Sequence, residues 1–271
     1  MKMQADPTPY ADINLLLEQL LSGVQKIFGK KLTGFYLFGS LVTGDFERGS
    51  SDIDLVAATS SDIDEKELEE LQQMHHDFVD KNKEWEGRIE VAYLSVTALK
   101  TFKVRHSKMA IISPGEPFHV KEVGKDWLMN WYTVREKGLV LFGPSPNTLI
   151  DPISKEEFIH AVQEYAQLWI GRIHHIPKRR PSQAYAILTM CRALYTSQKG
   201  EQVSKKRAAL WAEKEFPQWA SLIQNALVWR EAWRDEQVDH EATLSETQQF
   251  VRFVISQFEN ISGTSKTDSL P

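Results

Sequence analysis

The chain has 271 residues, 42% of them hydrophobic and 25% charged, which is ordinary for a folded soluble protein and enough for one large domain or two smaller ones. A formal net charge of −5 without any long basic run excludes a nucleic-acid arm, and this mild acidity suits a cationic small molecule. No stretch reaches the roughly 18 consecutive apolar residues of a membrane helix, and Asp6, Asp12 and Glu18 interrupt any leader-like run, so a cytoplasmic monomer without membrane or nucleic-acid partners is expected.

Residues 11–29 set Ile13, Leu16, Leu17, Leu20, Leu21, Val24 and Ile27 at helical spacing, with Gly29 as the stop. The aromatic-rich run 32–38 reads as a strand, as does 53–59. An amphipathic helix follows over 64–81, its acidic start containing Asp62 and Asp64, which read as a cap rather than a metal site. A third strand covers 88–95, with Glu90 on the face opposite Ile89, Val91 and Tyr93. The segment 113–118 reads as a loop, 124–137 as a helix, and 139–146 as a short run stopped by Gly143-Pro144. From Ser154 onwards only helical patterns occur, over 182–198, 204–215, 218–234 and 243–260, and Ser154 with Glu157 has the spacing of a capping box.

These elements predict an α+β fold: a mixed sheet with helices over residues 1–150, an all-helical domain over 151–262, and a disordered tail over 263–271. Trp211, Trp219, Trp229 and Trp233 recur in the helical half and read mainly as packing residues. The pairs His75-His76 and His174-His175 lack a metal-ligand spacing and read as surface residues. The single Cys191 lies in an apolar stretch, as a buried structural thiol would, and Lys178-Arg179-Arg180 beside prolines reads as a solvated loop.

The stretch from Phe35 to Val56 carries the chemistry. An apolar strand breaks at Gly39-Ser40, passes through a polar loop, and re-enters apolar sequence through Asp52-Ile53-Asp54. Residues i and i+2 of a strand share a face, so Asp52 and Asp54 put two carboxylates side by side. Taken alone, the doublet reads equally as solvated acids at a strand start or as a cation site. A glycine and a hydroxyl at a strand end suit phosphate oxygens, and Mg²⁺ takes one or two carboxylates together with substrate phosphates. No GxxxxGK[ST] and no GxGxxG is present. Glu90 joins the same group if its strand pairs beside the Asp strand.

The GS…DxD pattern, followed by the acid in "RIEVAYL", resembles the nucleotidyltransferase superfamily. The helical half, with "LFGP", "ILTMCRALYTSQKG" and "SKKRAALWA", resembles the streptomycin/spectinomycin adenylyltransferases, so the likeness runs over roughly residues 10–260. It implies a polymerase-beta-like N-terminal domain and an enzyme that transfers AMP from ATP to a hydroxyl of an aminocyclitol or aminoglycoside antibiotic. In that reading Asp52 and Asp54 hold Mg²⁺ on the triphosphate and Glu90 is the general base. Gly39, Ser40, Ser51, Asp126, Arg192 and Lys205 contact the nucleotide, and Trp229 is an option for stacking on adenine.

The pattern departs from the streptomycin-modifying members at two places. The loop 107–120 has no tryptophan, and Ser182 stands where those members have an aspartate. Losing an acid opposite a guanidinium removes a charged contact worth about 1.5–3 kcal/mol. Spectinomycin is therefore the expected acceptor over streptomycin. Other readings of the same residues are a different small-molecule acceptor, a protein acceptor (AMPylation), or a nucleotide-binding module without catalysis.

Overall fold

A computed structural model of the chain describes residues 6–231 and 241–264. They form two compact units, one of the residues up to Phe46 with Ser51–Ile153, the other of Glu47–Ser50 with the residues from Ser154 on.

The first unit opens with α1 (Ala11–Phe28), whose apolar face from Ile13 to Phe28 is buried. It leads into β1 (Leu32–Phe38), the one-turn α2 (Ser40–Thr43), β2 (Ile53–Thr59), α3 (Glu65–Lys81) and β3 (Ile89–Ser95). Asp64 caps α3 in a capping box with Glu67, as expected for the second Asp-x-Asp. Then come α4 (Val96–Thr101), β4 (Ser107–Ser113), β5 (Glu116–Val123), α5 (Leu128–Lys137) and β6 (Leu139–Phe142). The six strands form one sheet in the order β5-β4-β3-β2-β1-β6. Only β2 and β3 pair in parallel, and the other neighbours are antiparallel.

One face of the sheet packs on α1 and α3 through Phe35, Leu37, Ile53, Leu55, Ile89, Val91 and Tyr93. The β4–β5 hairpin is the main departure from the expected elements, in which 113–118 was a loop. Its turn is made by Pro114-Gly115, with Gly115 at φ 80°. The outer strand β5 is half exposed and rich in charge, so it lacks the apolar alternation that marks a buried strand; edge strands carry such residues without loss. A second departure is His75. Its ring is 2% exposed, with Nε2 2.8 Å from the Tyr93 hydroxyl and the ring against Phe118, so it is a core residue of α3 rather than a surface one.

The second unit is built from α6 (Lys155–Gln167), α7 (Trp169–Arg172), α8 (Arg180–Lys199), α9 (Lys205–Glu215), α10 (Ala220–Glu231) and α11 (Leu244–Thr264). Ser154 caps α6 in a capping box with Glu157, and Ser204 caps α9. The long α8 is the central element, with α6, α9, α10 and α11 all packed on it. Trp211 meets Tyr195 and Phe216, and Trp219 meets Phe250 and Phe253, so these two do pack between helices. Trp229 is buried, with the Arg180 guanidinium 5.1 Å from its ring. Cys191 is fully buried, and burial pushes its thiol far above the usual range. Trp233 and the 263–271 tail beyond Thr264 lie outside the described residues.

Candidate active site

The acids converge because of strand register. Phe38 at the end of β1 pairs with Asp54, and Asp54 in turn pairs with Glu90 across the parallel β2–β3 ladder. Their neighbours Ile53, Leu55, Ile89 and Val91 point into the core, so alternation turns Asp54 and Glu90 to the opposite face, side by side. Asp52 lies immediately before β2. All three acids are half-buried.

Glu90 has a carboxyl pushed up to about 7, first by burial and then by the charge of Asp52, with Glu116 adding to the rise and Lys121 opposing it. A carboxylic acid near neutrality is suited to exchanging protons at the pH of the cell. Glu116 enters the group because Ser113, at the close of β4, pairs with it beside the Glu90 end of the sheet. The β4–β5 hairpin thus contributes to the electrostatics of the site, although nothing in its composition announces that.

Gly39 has φ 73° and ψ −148°, a conformation that favours glycine. It also lies against Asp54: a Cβ on Gly39 would stand 1.7 Å from Asp54 Oδ2. The next residue, Ser40, has a buried Oγ without a hydrogen-bond partner. A buried hydroxyl is normally satisfied, so this one is an exception beside the acids. Ser51 is 5% exposed, and its carbonyl accepts from Arg88 Nε at 3.0 Å and from an Arg88 terminal nitrogen at 2.5 Å. The Arg88 guanidinium is 4.4 Å over the Trp85 ring, and its own carbonyl accepts from Ile53 N at 2.9 Å. Arg88 therefore clamps Ser51–Ile53, the segment that presents Asp52. Reading along the chain did not single out this residue; its only trace there is its place two residues before Glu90.

Asp126 is not brought to this group. β5 begins at the Glu90 end of the sheet, but its last residue, Val123, pairs with Ser107 at the opposite end. Asp126 follows there, exposed, and its carboxylate accepts from Gly124 N at 2.7 Å, closing the turn into α5. Arg192, on α8, and Lys205, at the start of α9, belong to the second unit. Arg192 is half-buried, and the Lys205 ammonium is 4.1 Å from the Tyr185 ring centroid.

Among the described residues, no group of three or more His, Cys, Asp or Glu side chains is arranged to enclose a metal ion. The donor set nevertheless fits Mg²⁺. That ion prefers hard oxygen ligands, needs one or two carboxylates, and completes its shell with water and phosphate oxygens. Asp52 and Asp54 are the carboxylates that would serve, and the charge of Asp52 adds, after burial, to the rise of the neighbouring Glu90 carboxyl.

Residues 17–113 match the family model of the nucleotidyltransferase domain, and residues 148–257 match that of the aminoglycoside adenylyltransferase C-terminal domain. The chain is a nucleotidyltransferase. It resembles the aminoglycoside adenylyltransferases over both parts. A protein of Escherichia coli named aminoglycoside (3'') (9) adenylyltransferase is 23% identical over 93% of this chain and 97% of its own. One of the same name from Rhizobium radiobacter is 28% identical, over 44% of this chain and 43% of its own. Among solved structures, the spectinomycin adenyltransferase AAD(9) of Enterococcus faecialis, crystallised with ATP and spectinomycin, shares the fold. It matches with a TM-score of 0.67 at 16% identity, over 88% of this chain and 98% of its own. No described helix of the enzyme is long and apolar enough to cross a membrane.

Proposed function

We propose that the enzyme transfers AMP from ATP, with Mg²⁺, to a hydroxyl of an aminocyclitol or aminoglycoside antibiotic, and that spectinomycin is preferred over streptomycin. The observation that carries this is the pairing of Asp54 with Glu90 beside Gly39-Ser40, which gathers carboxylates, a raised carboxyl and an unpartnered hydroxyl at one end of the sheet. The names and bound ligands of the similar proteins support ATP as donor and this class of acceptor.

Ser40 Oγ donates to a phosphate oxygen, and Gly39 leaves room for the triphosphate next to Asp54. Asp52 and Asp54 hold the metal, which when bound neutralises phosphate charge. Ser51, locked by Arg88, completes the phosphate side. Arg192 and Lys205 are carried forward from the family resemblance as cationic phosphate contacts. Glu90 accepts the proton of the acceptor hydroxyl as its oxygen forms a bond to the α-phosphorus and the bond to pyrophosphate breaks. The absence of an acid at Ser182 underlies the preference for the less basic drug.

Incubation with ATP, Mg²⁺ and an antibiotic panel tests this, read by mass spectrometry for an added AMP and by pyrophosphate release. The expected result is AMP on spectinomycin, with less on streptomycin. Folded protein that modifies streptomycin better overturns the preference, and protein that releases no pyrophosphate with any of them overturns the assignment.

A further inference from the structure

The segment before α1 is pinned by a buried hydrogen-bond cluster. Tyr10, the residue preceding the helix, provides no side-chain cap. Asn14, one turn in, folds back instead. Its Oδ1 accepts from Thr8 N at 3.0 Å and from Thr8 Oγ1 at 2.7 Å, and its Nδ2 donates to Thr8 O at 2.9 Å. Thr8 Oγ1 in turn accepts from Tyr10 N at 3.2 Å. Thr8 and Asn14 are each 6% exposed, so these polar groups are buried and satisfy one another. The cluster fixes the place of the Tyr10 ring, which lies against Phe46 with centroids 5.3 Å apart and planes tilted by 49°. Both rings are half-buried and pack, with Leu41 and Val42 of α2, on the core that α1 shares with the sheet. Phe46 belongs to the loop that runs from α2 to Asp52. At the α2 end of that loop Asp45 N donates to Ser40 O at 3.1 Å, and at the other end Arg88 holds the Ser51 carbonyl. The Tyr10–Phe46 contact ties the loop down between these two points.

We propose that Tyr10 is a positioning residue for AMP transfer: through Phe46 it holds the loop between α2 and β2, so that Ser40 and Asp52 stand at their working separation before Mg-ATP arrives. Thr8 and Asn14 are the anchor that keeps Tyr10 in place. That Ser40 meets phosphate and Asp52 the metal rests on the function proposed above. A loop that its ligand must order subtracts that ordering from affinity, whereas a loop already held does not. Losing the aromatic pair therefore weakens the binding of Mg-ATP. Once Mg-ATP is bound, its contacts to Ser40 and Asp52 hold both ends of the loop, so turnover at saturation changes little. A contact that served the fold alone would act the other way, leaving less folded enzyme, a lower kcat and an unchanged KM.

The test is calorimetry of Mg-ATP binding to the full-length protein without any acceptor, with thermal melts to confirm folding. Tyr10→Leu keeps an apolar side chain but removes the ring, and it should weaken Mg-ATP binding by about two- to tenfold, the range of one aromatic pair. Tyr10→Phe should bind as the wild type does. Phe46→Leu should lose as much as Tyr10→Leu, and the double variant should lose no more than either, because both remove one interaction. In the pyrophosphate-release assay each single leucine variant should raise KM for ATP and leave kcat nearly unchanged. Additive losses in the double variant, a Tyr10→Phe as weak as Tyr10→Leu, unchanged affinity in folded Tyr10→Leu, or a fall in kcat at unchanged KM would each overturn the proposal. Wild-type protein that binds Mg-ATP yet modifies no antibiotic overturns the acceptor reading alone, since the calorimetry needs no acceptor. Wild-type protein that does not bind Mg-ATP overturns both.

Discussion

Gly39 and Asp54 occupy one another's space: a single methyl group on Gly39 would stand 1.7 Å from a carboxylate oxygen of Asp54. The glycine is therefore required twice, by its backbone angles and by the acid it faces. Gly39→Ala should displace Asp54 and lower AMP transfer by about a hundredfold or more, the scale of an ångström-level misplacement. It should also cost about 1–3 kcal/mol in stability for the strained backbone. Turnover assays and urea denaturation of the variant check both.

Ser40→Ala should behave in the opposite way towards stability. Its hydroxyl is buried without a partner in the ligand-free protein, so removing it should leave the urea midpoint unchanged or raise it. KM for ATP should rise. A clear loss of stability would show that the hydroxyl has a structural partner instead.

Glu90→Gln should reduce turnover by about 10²–10⁴-fold while ATP affinity, measured by calorimetry, is retained. As the proposed base, Glu90 must be ionised to work. With its carboxyl raised to about 7 in the metal-free protein, Glu90 should be mostly protonated at pH 6 and mostly ionised at pH 8. An NMR titration of that carboxyl reads this directly. Adding Mg²⁺ should move the midpoint down, because the cation offsets the Asp52 charge that helps to raise it.

His75 sets an acid limit on stability. Burial holds its imidazole down to about 4 in the folded protein, whereas an unfolded histidine titrates near about 6.5. The unfolded state thus takes up the proton first. Stability is fully present above about pH 6.5 and falls as pH drops towards about 4, by on the order of 3 kcal/mol in total. Denaturant midpoints at pH 7.5, 6 and 5 should fall in that order, and His75→Phe should flatten the trend.

Arg88→Met should release the Ser51 carbonyl and loosen the approach to Asp52. Hydrogen bonds from a charged donor are worth about 1.5–3 kcal/mol, so KM for Mg-ATP should rise by about ten- to a hundredfold. Arg88→Lys should restore part of the loss, since one donor can still reach the carbonyl. Equal loss in both variants, or a change in the melting temperature alone, would argue that Arg88 supports the fold without orienting the site.

Along the chain, the site was legible where chemistry and local pattern coincide. Gly39-Ser40, Asp52-x-Asp54 and Glu90 lie in short motifs at strand ends, and the register of β1, β2 and β3 brings them together. The helices were equally visible, because apolar periodicity and the caps at Asp64 and Ser154 are local signals. The β4–β5 hairpin was not, because an edge strand such as Glu116–Val123 can be charged and half exposed without cost. Missing it also hid Glu116 and Lys121 as electrostatic neighbours of Glu90, and hid the fact that Asp126 falls at the far end of the sheet. The burial of His75 was hidden too, since its partner Tyr93 comes from another element and no spacing along α3 announces it.

The parallel pairing of β2 with β3 has a consequence for how this enzyme could diverge. Asp54 and Glu90 are contributed by strands joined through α3, which packs on the sheet face away from both carboxyl groups. The connecting chain can therefore lengthen, shorten or change composition while the separation of the two acids stays set by one ladder of hydrogen bonds. Evolution is free to rewrite the linker, and distant members of such a lineage should be recognisable by which strand positions lie abreast, even where the count of residues between the acids has drifted.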